Sequence, residues 1–334
     1  MFSLAQSARQ AQKEYASCSG CGLCLLVCPV WRREHDIALT PLARAKAQQH
    51  GAGAADIATS IQSCTLCAAC EPVCPENIGL VEMTLDLRRR LPLTEAMQDL
   101  LPRMNAQTAR PLAPRFSSPA ALLPGQALRE CAGTLARVAD LLGGAGAMPI
   151  AIDDGTDIAL ALEAGAPVPA RRLDQFLQPL RSLGKIVVGD GLLLRYLRLW
   201  LPRATLTSLG EALSGLTAVR RALRASDLYV IEPRAYHADY ERLVKHYDGL
   251  RATAACSFNL DLQRIAIPAT ARSLAQRLGL EAVDNMVQAR WILQGRSIER
   301  IVVENIEDAD AFGRVSGLPV VHLADLADDG THLI

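Results

Sequence analysis

The sequence predicts an α+β protein of more than one domain, and three observations predict it. Two cysteine runs of identical spacing lie before residue 80, among segments of helical composition. A proline-rich stretch follows, in which Pro92, Pro102, Pro111, Pro114, Pro119 and Pro124 interrupt any long helix. From about residue 147, short apolar runs alternate with amphipathic segments, the pattern of a partly parallel α/β sheet. The expected organisation is a helical domain over 1–92, a connector with short helices over 93–146, and an α/β domain over 147–334.

Bulk properties narrow the function classes. Half of the 334 residues are apolar and the formal net charge is zero, so there is material for a sizeable core but no basic excess for nucleic acid. Aromatic residues make up 4%, too few for base-stacking platforms. The N-terminal MFSLAQSARQAQKEY lacks the apolar core of a secretory signal. The greasiest segment, GLLLRYLRLWLP over 191–202, is short and carries Arg195 and Arg198, so no transmembrane helix is expected. Ten cysteines without an export signal point to metal ligation or catalysis in a reducing compartment. The expected location is cytoplasmic, peripheral to the membrane at most through partners.

Both cysteine runs read C-x2-C-x2-C-x3-C-P: Cys18, Cys21, Cys24, Cys28 and Pro29, then Cys64, Cys67, Cys70, Cys74 and Pro75. This is the bacterial ferredoxin spacing for [4Fe–4S] clusters. Three cysteines at two-residue intervals wrap a tight loop around one cube, and the fourth points away to the other cluster. On that rule cluster A takes Cys18, Cys21, Cys24 and Cys74, and cluster B takes Cys64, Cys67, Cys70 and Cys28. Structural zinc is the alternative. Zinc sites usually use paired C-x2-C elements, and a third cysteine at the same step plus C-x3-C-P, twice over, is not their habit.

The loops sit among expected helices. Residues 3–16 look helical, WRREHDIALTPLARAKAQQHG favours helix with Gly51 as its stop, and residues 78–91 place Leu80, Met83, Leu87 and Leu91 on one face. Arg88, Arg89 and Arg90 read as a solvated helix end that could anchor an acidic partner or oppose cluster charge. In the connector, 126–142 is expected as a helix holding Cys131 as a small buried hydrophobe.

In the α/β part the expected order is MPIAID, a helix near 156–164, KIVVGD and YLRLWL. A weak repeat relates GKIVVGD (184–190), leading through a helix to LPRATLTSLGEAL, with ERIVVEN (299–305), leading similarly to LPVVHLADLA. Two α/β lobes, about 147–220 and 225–330, are therefore expected. GDG at 189–191 and LGGAGAM at 142–148 do not form a nucleotide-binding glycine loop. His237 and His322 lack partners at ligand spacing and read as core or surface histidines.

On "SCTLCAACEPVCPENIGLVEM" and "TPLARAKAQQHG", residues 1–92 resemble the alpha-helical ferredoxin domain. That domain occurs in iron–sulfur subunits of succinate, anaerobic glycerol-3-phosphate and glycolate dehydrogenases, and in the small iron–sulfur protein of heterodisulfide reductase. The remainder resembles the duplicated cysteine-rich CCG domain of the glycolate oxidase and glycerol-3-phosphate dehydrogenase proteins, which a second heterodisulfide reductase polypeptide also has. Those relatives bind a further cluster there. Here Arg234 stands in YVIEPRAYH where the family has a cysteine, and Cys256 in ATAACSFNL is the one surviving sulfur. One thiolate cannot hold a cubane cluster, so the resemblance implies a degenerate CCG-like domain without its cluster cysteines.

The resemblance implies a non-autonomous redox subunit with two [4Fe–4S] clusters and no catalytic residue of its own. It would relay single electrons between a flavoprotein, either a dehydrogenase or an electron-transfer flavoprotein, and a downstream acceptor within one complex. The alternatives are a sensor whose second domain binds a small molecule near Arg234, His237 and Cys256, and an enzyme that reduces its own substrate there.

Overall fold

Loops flanked by helices carry the cysteine runs, and helices with parallel strands make up most of the rest, in an α+β chain. The computed structural model describes residues 12–108, 116, 118–144, 146–262, 264–270, 272–281 and 286–330. The chain divides into two units: Met1–Pro111 with Asp157–Gln175 and Ala271–Asp284, and Leu112–Thr156 with Phe176–Thr270 and Asn285–Ile334. These limits differ from the expected ones at 92 and 147. Two later segments belong with the cysteine-bearing part.

In the first unit each helix starts or stops for a local reason. The helix Pro29–Glu34 begins directly after Cys28, with Pro29 at a position where a missing N–H costs nothing. His35 ends it in the left-handed conformation, φ 53°. Thr40 accepts from Ala43 N (3.3 Å) and restarts the chain as the helix Pro41–Gln49. Gly51, at φ 87°, follows its end as expected. The expected helix at 3–16 lies mostly outside the described residues. Within them Lys13 forms an isolated parallel bridge to Ile78, and Tyr15–Ser17 is a single 3-10 turn.

The helix Leu80–Arg89 buries Leu80, Met83 and Leu87 against Ala45, Ile61 and Ile78, and Leu91 packs on the same cluster. Arg88 corrects the reading of a solvated end: it is fully buried, while Arg89 and Arg90 are exposed. Its guanidinium donates to the carbonyls of Cys64 (2.6 Å), Glu163 (2.6 Å) and Ile61 (3.2 Å). The start of the expected connector forms the helices Glu95–Gln98 and Leu100–Thr108. Met97, Leu100 and Met104 pack with Ala161, Ala164 and Leu274 of the two later segments.

The second unit holds two parallel sheets. The first is β1 (Ala120–Leu123), β2 (Lys185–Val188) and β3 (Thr205–Ser208), in that order. The second contains β4 (Asp227–Val230) and β5 (Ser257–Phe258). After a short antiparallel pair, β6 (Leu260–Asp261) and β7 (Ile265–Ala266), come β8 (Arg300–Val303) and β9 (Val320–His322). Its order is β5-β4-β8-β9, with every pair parallel. In both sheets a strand runs through a helix to its neighbour and into a helical segment, β2 to β3 and β8 to β9. Side chains alternate as strand pleating requires. Tyr229 and Val302 join a cluster with Leu122 and Val187, and Leu228, Val230, Ile301 and Val303 pack with Phe312 on the other face. Burial on both faces is the usual state of a parallel sheet.

Three local expectations need correction. MPIAID is no strand: Ile150 makes one isolated bridge to Leu122, and Pro149 supplies no N–H. The strand beside β2 is β1 instead, from the proline-rich connector. YLRLWL lies in the helix Gly191–Trp200, started by the Asp190 carboxylate accepting from Leu193 N (2.7 Å). Its short apolar run fits either period, and the cap decides it. The expected 126–142 helix is two, Gly125–Glu130 and Ala132–Gly143, broken at Cys131, which is half-buried rather than buried.

The GDG run is a packing feature. A Cβ on Gly191 would stand 2.3 Å from Ala235 N and 2.5 Å from Arg234 Cβ, so two helices meet there without room for a methyl group. Gly191→Ala is expected to lower stability by roughly 1–3 kcal/mol. Gly133→Ala, where the added Cβ meets nothing within 4 Å, is expected to be neutral or slightly stabilising. Parallel urea titrations of the two variants check this; equal midpoints would remove the packing account.

Candidate iron–sulfur centres

The two loops share one backbone design. In Cys18–Cys24 the chain turns left-handed at Gly20 (φ 84°) and Gly22 (φ 78°). At the equivalent places in Cys64–Cys70 it turns left-handed at Leu66 (φ 51°) and Ala68 (φ 60°). Glycine takes this conformation freely, whereas a side chain makes it cost about 1–2 kcal/mol. Two strained residues in one seven-residue loop mark a shape imposed by something other than local preference. Backbone N–H groups of Leu66 and Ala69 point at the sulfurs of Cys64 and Cys67, and those of Trp31 and Val30 at Cys28.

The thiols gather across the runs. Cys28, Cys64, Cys67 and Cys70 line one small cavity, partly open to solvent, together with Arg44, Leu66, Ala68 and Val81. Charge interactions draw the same groups. Burial, then Cys28, then Cys18, Cys21 and Cys74 push the Cys24 thiol up to about 12. The Cys67 thiol is pushed up to about 12 by burial and, among the charges, by Cys28 and Cys64. Cys70 is raised by burial and by Cys67, Glu71, Cys64 and Cys28. Cys64 differs. Burial raises it, but Arg44, Arg88, the Leu66 N–H and the Thr84 hydroxyl together hold it below its ordinary value. Cys28 thus lines the second run's cavity while also lying near Cys24, and Cys74 lies near Cys24 as well.

The surroundings of the two loops differ in part. Cys21 is exposed, Cys18, Cys24, Cys64, Cys70 and Cys74 are half-buried, and Cys28 and Cys67 are buried. At the first loop, Lys46 donates to the Cys18 carbonyl and to Gln49 Oε1 (both 2.8 Å), and the Gln49 amide donates to the carbonyls of Tyr15, Ala16 and Cys18. At the second, Arg88 holds the Cys64 carbonyl. Among the described residues no group of three or more His, Cys, Asp and Glu is placed to hold a single metal ion. Thiolates that each bind a different iron of a cube stand farther apart than the ligands of one ion. Eight thiols in two sets of four, with apolar walls and backbone donors, fit two [4Fe–4S] groups.

The second-unit candidates lie apart in role. Arg234 and His237 are buried on the helix Pro233–Ala238, whose first turn is capped by the Glu232 carboxylate at Arg234 N (3.0 Å) and Ala235 N (2.6 Å). Cys256 is buried in the apolar cluster of Tyr229, Tyr236 and Tyr247, where burial and then Asp227 push its thiol up to about 12. A protonated thiol in such a place is a hydrophobe rather than a nucleophile. His322 is a core histidine, its Nε2 3.1 Å from the Glu304 carbonyl oxygen and its Nδ1 accepting from Ala324 N.

Sequence reasoning missed Arg44 and the role of Arg88. It also missed Glu304, buried at the end of β8, whose carboxylate accepts from Tyr229 Oη (2.7 Å), Tyr247 Oη (2.6 Å) and Glu232 N (2.8 Å). An acid directly after a buried strand was the available signal for Glu304. For the arginines there was none, because the depth of a side chain is a tertiary property.

Residues 14–78 match the family model described as a 4Fe-4S dicluster domain, and all eight cysteines of the two runs fall within the match. No curated protein and no solved structure matches the chain. A 4Fe-4S dicluster domain suggests iron–sulfur electron transfer. Among the described residues no helix is long and apolar enough to cross a membrane.

Proposed function

We propose that the chain is an iron–sulfur electron-transfer subunit of a multi-subunit oxidoreductase. It relays single electrons between a flavoprotein, a dehydrogenase or an electron-transfer flavoprotein, and a downstream acceptor. The observation that carries this reading is the gathering of the eight thiols inside a 4Fe-4S dicluster match, with Cys28 lining one cavity with Cys64, Cys67 and Cys70. This supports an exchange of fourth cysteines in which Cys28 serves the second run and Cys74 the first. When bound, each [4Fe–4S] cluster takes up and gives back one electron. The chain's own part is to hold the two sets in adjoining loops, to keep water from Cys28 and Cys67, and to leave Cys21 exposed as the edge an electron partner would approach.

The second unit is read as a degenerate CCG-like scaffold that docks a partner protein of the complex. Its two parallel sheets with like strand–helix–strand order support the duplication. Arg234 in place of a cysteine and the single sulfur of Cys256 support the loss of a cluster there. Anaerobically purified protein is expected to contain about eight irons and as many acid-labile sulfides per chain, with EPR signals on reduction. It is expected to copurify with a flavoprotein and to show no turnover alone. Zinc, or about four irons, would overturn the two-cluster reading.

A further inference from the structure

We propose that Arg44 is a potential-setting residue: its Nε–H donates to a sulfur of the cluster held by Cys28, Cys64, Cys67 and Cys70, and its charge holds that cluster's potential up. This rests on the cluster reading above. The side chain is 1% exposed and its far end is fixed, with Nη1 donating to the carbonyls of Leu39 (3.1 Å) and Ser60 (2.8 Å) and to Ser60 Oγ (3.3 Å). Nε is buried and has no hydrogen-bond partner among the described residues. Arg44 lines the same cavity as the four cysteines.

A buried guanidinium with an unused donor is costly, and no carboxylate pairs with this one among the described residues. The chemistry that relieves the cost is an anion in the cavity. A cubane with four thiolates carries net negative charge and gains one more on reduction. A fixed cation beside it favours the reduced form, and an N–H to sulfur acts in the same direction. Burial of this set acts the other way, because added charge is poorly solvated there. Arg44 thus opposes the lowering that burial of Cys28 and Cys67 imposes.

The same helix treats the two sets differently. Lys46 lies two residues on, roughly 200° around the helix, and its ammonium goes to the Cys18 carbonyl. Removing Arg44 should therefore move one cluster and spare the other.

The test is an EPR-monitored redox titration of the anaerobically purified full chain with both clusters. Arg44→Met is expected to shift one cluster's one-electron equilibrium at least tenfold toward the oxidised form, ~59 mV, with the other unmoved. The shifted cluster should be the one lost in Cys67→Ala. Arg44→Lys, which keeps a charge but not Nε, is expected to restore part of the shift. Should Arg44→Met fail to take up iron, wild-type protein labelled with 15N in arginine alone decides the matter: a weak arginine-nitrogen coupling is expected at one reduced cluster. Two clusters with unchanged potentials, equal shifts in both, or no arginine coupling would each overturn the role of Arg44 while leaving the relay intact. A chain with no clusters would overturn both.

Discussion

Replacing Cys28 with alanine is expected to abolish the cluster of the second cysteine run, not that of its own run. Iron should fall from about eight to about four per chain, and the remaining EPR signal should match the one left by Cys67→Ala. Cys74→Ala is expected to leave the opposite signal, the one that remains after Cys24→Ala. The expectation rests on the ferredoxin ligand rule and on Cys28 sharing a cavity with Cys64, Cys67 and Cys70; Cys74 lies near Cys24, as Cys18, Cys21 and Cys28 also do. If Cys28→Ala and Cys24→Ala instead leave the same signal, each run serves its own cluster and the exchange is wrong. Both variants should also loosen the first unit, because Cys18, Cys24, Cys70 and Cys74 pack against the apolar cluster of Ile61, Ile78 and Leu87.

The cysteine loops were legible because ligand spacing is a short-range constraint written directly in the chain. Their shared turns were half legible: Gly20 and Gly22 announce left-handed backbone, while Leu66 and Ala68 hide it. The helix ends after Cys28 and at Gly51 follow from local chemistry and were partly seen. What could not be read is what distant segments decide. Arg88 looks solvated until the carbonyls of Ile61, Cys64 and Glu163 close around it. Strand β1 is four residues in a proline-rich stretch and exists because Lys185–Val188 pairs with it. The tyrosines that hold Glu304 lie 75 and 57 positions away, so the sequence shows the acid but not its setting.

That setting makes stability of the second unit depend on pH in a direction opposite to the usual carboxylate. Burial pushes the Glu304 carboxyl from 4.5 to about 7, against the hydrogen bonds from Tyr229, Tyr247 and the Glu232 backbone, with the Glu232 carboxylate adding to the rise. The unfolded chain releases this proton near 4.5 and the folded chain near 7. Between those values the folded state binds more protons, so stability falls as pH rises from about 4.5 to about 7 and is level above. The span corresponds to a loss on the order of 3 kcal/mol. Asp308, raised from 3.8 to about 7 by burial, contributes in the same sense. Glu304→Gln keeps the shape of the side chain without the charge and is expected to flatten the slope in part, since Asp308 and the raised Glu232 carboxyl contribute in the same sense. It should be more stable than wild type at pH 8 and close to it at pH 5, read from urea midpoints at pH 5, 6, 7 and 8. Glu304 packs directly on Gly210, where an added Cβ would lie 2.0 Å from the Glu304 carboxyl carbon. An unchanged slope in Glu304→Gln would mean that the carboxyl titrates as if exposed and that the two tyrosine hydroxyls, not the proton, carry its burial.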